Sequence, residues 1–138
     1  MSTSPRFYSP YDESFWSSVS DDAASMQRCS DCEQHRYPPS ACCPNCLSTN
    51  ATWEKISGIG HVLSWTTLHK QYLPAYPAPT TIVAARLEEG PIFLSNIDGK
   101  EVNALKIGAP VKIIYGDHPD GYRIPRLTLN CTSIEAKR

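Results

Sequence analysis

The sequence predicts a mainly β protein, in which a short N-terminal helix and a cysteine-rich ribbon precede a five-stranded barrel of the OB-fold type. Two observations support this fold class. Two Cys-x-x-Cys pairs lie in residues 26–52, a segment without apolar periodicity, and five runs of β-forming residues follow it. We therefore expect three units: an arm and helix over residues 1–25, the ribbon over 26–52, and the barrel over 53–138.

Composition and charge narrow the class of protein. The chain has 138 residues, of which 41% are hydrophobic and 20% charged, with a formal net charge of -1. This length suits one domain, or two small units that share a core. The charge balance disfavours a general nucleic-acid binder, although a local basic patch stays open. No apolar run reaches the ~20 residues of a membrane span. Because residues 1–10 also lack an apolar signal region, we expect a cytoplasmic protein with reduced cysteines.

The N-terminal segment predicts an arm and one short helix. Residues 1–10 predict a flexible arm, and Asp12 is placed to cap the helix that follows. Phe15, Trp16 and Val19 then share one face at helical spacing. A helix this short is marginal alone, so it must dock on something. We expect this face to pack within the chain, with contact to a partner protein as the alternative.

The second half of the chain alternates in the manner of strands. Gly58 and Gly60 lead into the first long run and predict bends in a strand that curls into a barrel. The predicted strands cover residues 61–69, 80–87, 91–97, 111–115 and 122–132. Five strands in about 80 residues suit a small closed barrel. Cys131, in the last strand, is expected to pack as a small hydrophobe.

The two Cys-x-x-Cys pairs predict a metal site formed by Cys29, Cys32, Cys43 and Cys46. Four thiolates can surround one zinc ion tetrahedrally, at roughly 2.3 Å each. Such binding contributes roughly 10–16 kcal/mol in isolated zinc peptides, which explains how a segment without a core becomes ordered. Because four cysteines leave no open coordination position, the zinc is expected to be structural.

Two features of this site stay open. An iron site has the same four-thiolate geometry, so the sequence does not distinguish iron from zinc. Cys42 could replace Cys43 as a ligand, which would leave three residues before Cys46. We favour Cys43, because Cys-Pro-x-Cys is the commoner turn. A redox function is disfavoured, because it would suit one Cys-x-x-Cys pair opening a helix near a βαβ unit.

No catalytic set can be assembled from the sequence. The four histidines, His35, His61, His69 and His118, have no accompanying nucleophile or orienting carboxylate pattern. His118 lies in a turn and is expected to be solvated, and His69 is expected at a surface or interface. We therefore predict no catalytic residue.

The segment Arg36-Tyr37-Pro38-Pro39 between the cysteine pairs has two interpretations. It is either a rigid loop that braces the metal site, or a platform on which an aromatic base stacks while Arg36 meets a phosphate. The rigid loop is narrowly favoured on sequence.

The order of these motifs resembles a known family. A short helix precedes the first Cys-x-x-Cys pair, Tyr37-Pro38-Pro39 lies between the pairs, and Cys-Pro-x-Cys closes the ribbon. Further shared positions follow, namely Trp53, Gly58, Gly60, Val62, Ser64-Trp65-Thr66, Glu89-Gly90-Pro91, Ser95-Asn96, Ile107-Gly108, Pro110-Val111 and Pro125-Arg126. Over almost the whole chain, this pattern is similar to the rubredoxin-like zinc-ribbon/OB-fold proteins that accompany thiolases and other acyl-CoA enzymes. The chain departs from such ribbons at Glu33 and Leu47, where glycine often follows each cysteine pair.

The resemblance implies a small subunit that is not catalytic alone, binds a thiolase or thiolase-like enzyme, and helps form its acyl-CoA site. Docking is expected through the helix face of Phe15 and Trp16 and through the proline-rich loop 73–79. The candidate contacts to coenzyme A are Arg36, Tyr37, His69 and Arg126.

A second function class is single-stranded nucleic-acid binding by the OB-fold. Trp65, Tyr72 and Tyr76 could stack on bases. The scattered lysines and the negative net charge disfavour this alternative.

Overall fold

The computed structural model describes residues 9–130 and confirms the mainly β class. Helix α1 is followed by a three-stranded sheet of order β2-β1-β3 and then by a closed barrel of order β4-β5-β6-β8-β7. The elements are α1 (Asp12–Ser20), β1 (Ser25–Cys29), β2 (His35–Arg36), β3 (Ala51–Lys55), β4 (Ile59–Leu68), β5 (Thr80–Leu87), β6 (Ile92–Ile97), a 3-10 helix (Gly99–Ala104), β7 (Pro110–Asp117) and β8 (Arg123–Leu129). Most of the predicted arm, and Cys131, lie outside the described residues. None of the helices described here is long and apolar enough to cross a membrane.

Helix α1 packs within the chain. Phe15 and Val19 are buried, and Trp16 packs against the core at its edge. The packing interpretation of this face is therefore confirmed, and the expectation that Phe15 docks a partner is wrong, because its ring is already covered. Asp12 does not cap the helix either: Tyr11 is the N-cap residue, and the Asp12 carboxylate accepts a hydrogen bond from the Ser9 N–H at 2.9 Å.

The helix, the ribbon and the barrel share one hydrophobic core. Phe15 from α1 and Met26 from β1 belong to the same buried cluster as Phe93 and Leu127 of the barrel. The segment between α1 and β1 is also fixed to the barrel, because the Ala24 N–H donates to the Tyr115 hydroxyl at 2.9 Å. A small unit that buries its apolar faces against its neighbour gains more stability than it could alone.

The three-stranded sheet completes the ribbon. β1 pairs antiparallel with β2 on one side and with β3 on the other. β3 spans the boundary predicted at residue 53, so that Trp53 lies opposite Gln27 in the ribbon sheet. This sheet was not predicted, because β2 has only two residues and the ribbon lacks the alternation that indicates strands.

Steric crowding requires glycine near the start of the first barrel strand. Gly60 lies opposite Leu87, and a Cβ atom at Gly60 would lie 2.3 Å from the Arg86 carbonyl oxygen. Gly58, just before β4, has φ +74°, which glycine adopts without strain. A register shift between Val62 and Ser64 adds the irregularity that curling strands require. The barrel closes where β6 pairs in parallel with β8 and β4 pairs with β7.

Candidate metal centre and docking surface

Four cysteine sulfurs meet at the end of the ribbon. Cys29 ends β1, Cys32 lies in the turn that follows, and Cys43 and Cys46 lie in the second turn. All four Sγ atoms lie within 4.8 Å of one another. The Sγ atoms of Cys29 and Cys46 are 3.6 Å apart, and those of Cys32 and Cys43 are 3.5 Å apart. Thiolates around one tetrahedral zinc ion would be about 3.8 Å apart, so the cluster is close to a binding arrangement.

The two cysteine turns have the same backbone geometry. The Glu33 N–H donates to the Cys29 carbonyl at 3.0 Å, and the Leu47 N–H donates to the Cys43 carbonyl at 2.9 Å. Glu33 and Leu47 adopt φ values of 66° and 64°, in the left-handed region that glycine favours. The departure from glycine at these positions therefore leaves the turn intact, at the cost of a strained residue in each turn.

The electrostatics of the cluster favour a cation at its centre. The backbone N–H of Cys32 lowers the pKa of the Cys29 thiol to about 6. The backbone N–H of Cys46 lowers the pKa of Cys43. For Cys46, the backbone N–H of Ser48 lowers the pKa, but burial and the neighbouring sulfurs raise it, to about 12. Because four crowded sulfurs cannot all ionise alone, the set fits one thiolate-bound metal ion.

Cys42 lies outside this cluster. Its side chain is exposed, whereas Cys43 is buried and directed at the other three sulfurs. The geometry therefore agrees with the choice of Cys43 over Cys42 that the sequence favoured. The assignment of Cys43 as a metal ligand stays a prediction.

The Arg36-Tyr37 segment faces inward. Arg36 is only 4% exposed, and its Nε donates to Oε1 of Gln27 at 3.2 Å. The Tyr37 ring packs between Phe15 and Phe93, with centroid distances of 5.3 Å and 5.4 Å. Burial raises the pKa of Tyr37 to about 12. This placement favours the rigid loop over an exposed stacking platform, and Tyr37 joins the helix, the ribbon and the barrel.

The other two candidate contacts to coenzyme A lie elsewhere. His69 follows β4 and is exposed. Arg126, on β8, lines a polar cavity of about 360 Å³ together with His118 and Tyr76. Arg36, Tyr37 and His69 do not line that cavity, so the structure does not gather the four into one site there.

His118 is not the solvated turn residue that was expected. It is buried, and its ring stacks on Tyr122 with a centroid distance of 4.4 Å and an interplanar angle of 10°. Its Nδ1 accepts a hydrogen bond from the Asp120 N–H at 3.1 Å. The turn therefore folds over its own histidine, which the sequence of a polar turn did not indicate.

Two family models match the chain. Residues 26–51 match the rubredoxin-like zinc ribbon domain of ChsH2, and residues 53–115 match the C-terminal OB-fold domain of ChsH2. The chain belongs to the ChsH2 (DUF35) family. The family recognised from the motif order, and the zinc-ribbon and OB-fold assignments, are thereby confirmed.

Three curated proteins are similar to parts of this chain. A probable enoyl-CoA hydratase alpha subunit from Thermomonospora curvata is 34% identical over 86 residues, which are 62% of this chain and 27% of that protein. The 3-oxo-4,17-pregnadiene-20-carboxyl-CoA hydratase alpha subunit from Mycobacterium tuberculosis is 31% identical over 106 residues, 77% of this chain and 34% of that protein. A DUF35 domain-containing scaffold protein from Pyrococcus furiosus is 30% identical over 83 residues, 56% of this chain and 58% of that protein. The chain thus spans about a third or less of the two hydratase subunits.

Solved ChsH2-like structures have the same fold. A chain of the Ltp2-ChsH2(DUF35) aldolase superposes with a TM-score of 0.80 and 25% identity, covering 91% of this chain and 98% of that one. A DUF35 protein of unknown function from Sulfolobus solfataricus superposes with a TM-score of 0.60 and 22% identity, covering 76% of this chain and 78% of that one. The second likeness shows the fold alone.

An apolar groove on the outside of the barrel includes part of the loop 73–79 that the sequence named as a docking surface, but the strand face opposite that loop was not predicted. The groove has a volume of about 430 Å³ and lies between the outer face of β4–β6 and the loop after β4. Its apolar lining consists of Leu68, Tyr72, Leu73, Tyr76, Ile82 and Leu94. Tyr72 and Leu73 are largely exposed, and Leu94 is 60% exposed. One signal was available: consecutive apolar residues such as Ile82-Val83 and Phe93-Leu94 make both faces of β5 and β6 apolar.

Proposed function

We propose that this chain is a non-catalytic, metal-stabilised subunit that docks on a thiolase-like enzyme and helps form its acyl-CoA site. One observation carries the proposal: the chain superposes along nearly its whole length on a chain of the Ltp2-ChsH2(DUF35) aldolase, at a TM-score of 0.80. Two related hydratase subunits carry CoA thioesters in their names, which supports the acyl-CoA class of substrate.

The metal in this proposal is zinc, held by Cys29, Cys32, Cys43 and Cys46. The match to a zinc ribbon domain and the mutual approach of the four sulfurs support it. When bound, zinc supplies binding free energy that orders the ribbon. The cysteines would hold the ion in a closed site, so the role of the ion would be to keep the ribbon folded. Tyr37 attaches the folded ribbon to the barrel.

The docking surface in this proposal is the apolar groove rather than the helix. Leu73 and Leu94 expose apolar side chains on one continuous face, and Pro74, Pro77 and Pro79 stiffen the loop that borders it. A stiff surface loses little conformational entropy on binding, which favours a stable interface. A continuous exposed apolar face of this kind marks an interaction site more often than scattered apolar residues do.

Co-purification with a thiolase-like enzyme from the same organism, followed by acyl-CoA turnover with and without this chain, tests the proposal. We expect a complex and a higher rate, with no turnover by this chain alone. Leu94→Asp should abolish the complex. Ile107→Asp is the matched control, because Ile107 is 78% exposed and does not line the groove. Robust turnover by the chain alone, or no complex and no rate change, would contradict the proposal.

Binding of single-stranded nucleic acid is the alternative function, because Trp65 and Tyr72 are exposed aromatic residues on which bases could stack. The groove argues against it, because Lys70 is the one basic residue in its lining and a phosphate backbone needs a row of cations. Salt-sensitive binding of a labelled oligonucleotide would favour the alternative.

A further inference from the structure

Within residues 9–130, the ribbon contains a buried cation that has no ion-pair partner. Arg36 is 4% exposed, and its Nε donates to the neutral Gln27 side chain. Its Nη1 is buried without a hydrogen-bond partner, and no carboxylate in residues 9–130 forms an ion pair with it. A buried charge that lacks both a counter-ion and its hydrogen bonds is strongly destabilising. A negative charge near Arg36 would therefore stabilise the fold.

The other arginine of this sheet, Arg28, already has carboxylate partners, and His35 lies near one of them. Arg28, on β1, lies 3.2 Å from Glu54 and 3.9 Å from Glu33. His35, next to Arg36 on β2, lies 3.8 Å from Glu54. These groups form a surface network on one face of the sheet, and Arg36 takes no part in it.

Arg36 projects to the same face of the ribbon sheet as the first metal ligand. Arg36 lies directly opposite Gln27 in the β1–β2 register, so the two side chains share a face. Cys29 is two residues after Gln27 on the same strand, and alternate residues also share a face. The face that carries Arg36 therefore also carries Cys29.

A hydrogen-bond network continues from Arg36 toward the second cysteine pair. Gln27 Oε1, which accepts from Arg36, also accepts from the Ser40 N–H at 2.8 Å. Gln27 Nε2 donates to the Ser40 carbonyl at 3.1 Å, and Ser40 Oγ donates to the Cys42 carbonyl at 3.0 Å. This network connects the guanidinium, through Gln27 and Ser40, to the backbone carbonyl of the residue that precedes Cys43.

Four thiolates around a divalent metal ion carry a net charge of about −2 by the charges of the ligands and the ion. We propose that Arg36 is the internal counter-cation of this tetrathiolate centre, held in place by Gln27. The anionic centre stabilises the buried charge of Arg36, and Arg36 in turn stabilises the negative charge of the centre. Metal affinity and burial of Arg36 are therefore linked. The inference rests on the proposed metal occupancy and is independent of the partner enzyme and of acyl-CoA.

Zinc affinity of the full chain, measured by competition with a chromogenic chelator, tests this linkage. One equivalent of zinc in the unaltered chain establishes occupancy first, so failure of the metal site is distinguished from failure of the linkage. Arg36→Met keeps an apolar stem of similar length and should weaken zinc binding by about 10–100-fold, the usual effect of losing a group that supports metal ligands. Arg36→Lys should retain most of the affinity. Lys55→Met is the control, because Lys55 is an exposed cation of the same sheet that lies opposite Ser25, away from the cysteine turns, and it should leave zinc affinity unchanged.

Cobalt substitution supplies a readout that packing alone would not change. Removing a nearby cation raises the energy of the sulfur lone pairs, so Arg36→Met should move the thiolate-to-cobalt charge-transfer band to longer wavelength. Arg36→Lys should restore the band. Equal zinc affinity and an unmoved band in Arg36→Met would overturn the proposal. So would an Arg36→Lys chain that loses zinc or solubility as readily as Arg36→Met, because the charge would then not be the cause.

Discussion

Arg123 donates hydrogen bonds to both carboxylate oxygens of Asp22, a residue 101 positions earlier in the chain. Its Nη2 lies 2.8 Å from each oxygen, and its Nε lies 3.0 Å from Oδ1. Arg123 also donates to Asp117 at 2.9 Å, and these two carboxylates raise the pKa of the guanidinium. The turn that ends α1 is thereby fastened to the first residue of β8.

Replacing Asp22 should loosen this attachment modestly. Asp22 is about half exposed and has φ 55°, so Asp22→Ala loses the ion pair and also strains the backbone. We expect the ratio of folded to unfolded chain to fall by less than about tenfold, because exposed ion pairs contribute little. Urea unfolding at low and at high salt is the measurement. Asp22→Asn is the control, because asparagine tolerates this φ and the variant loses only the ion pair. Its loss of unfolding free energy relative to the unaltered chain should be smaller in high salt.

Cys43 and Cys42 should differ completely in their effect on metal content. Cys43→Ser removes a buried sulfur from the cluster and should lose the zinc, leaving insoluble or unfolded ribbon. Cys42→Ser alters an exposed side chain and should keep one zinc per chain. Elemental analysis of the purified variants is the measurement. The reverse pattern would show that the second turn binds in a register shifted by one residue.

Tyr37 should make the protein sensitive to alkaline pH. Its folded-state pKa of about 12 lies above the ordinary value of 10.0, so the folded chain keeps this proton while the unfolded chain loses it. The stabilisation that the protonated Tyr37 gives the folded chain is therefore fully present below pH 10. It is lost between pH 10 and pH 12, where the free energy of unfolding falls by about 1.4 kcal/mol per pH unit. Tyr37→Phe should flatten the fall in unfolding free energy over that range, measured by urea titration. Tyr72→Phe, at an exposed ring, should leave the pH profile unchanged.

Gly60 should not tolerate a side chain. An added Cβ would lie 2.3 Å from the backbone oxygen of Arg86, and a backbone in a closed barrel has little room to move. Gly60→Ala should lower the free energy of unfolding by about 1–3 kcal/mol or more. Gly99→Ala is the control, because no atom lies within 4 Å of its would-be Cβ. Equal stability of the two variants in thermal unfolding would argue against the close approach of β4 and β5.

Leu47→Gly should stabilise the second cysteine turn. Leu47 is 73% exposed, so little packing is lost, while its φ of 64° costs a side-chain residue roughly 1–2 kcal/mol. After the entropy cost of glycine, we expect a net gain of about 0.5–1 kcal/mol in unfolding free energy. Leu47→Ala retains the strain and should show no such gain. Equal or lower stability of Leu47→Gly than of the unaltered chain in urea unfolding would argue against strain at this position.

The cluster of four cysteines and the class of the fold could both be predicted from the sequence. The pairs Cys29-Cys32 and Cys43-Cys46 are local, because each turn aims its two sulfurs together whatever surrounds it. The barrel strands were readable because alternation and glycine positions are also local signals. The register that placed Cys43 with the other three sulfurs follows from the same short-range geometry.

Tertiary structure decided which side chains face the interior and which surfaces remain open. The sequence left two interpretations of Arg36 and Tyr37, a rigid loop, which it narrowly favoured, and an exposed platform. The fold decides for the loop, because Gln27 binds the Arg36 side chain while Phe15 and Phe93 enclose the Tyr37 ring. The apolar groove likewise forms from three strands and a loop, and only the fold places the apolar outer face of the strands next to that loop. Burial is a property of segments brought together by the fold, so it depends on contacts that local propensity does not encode.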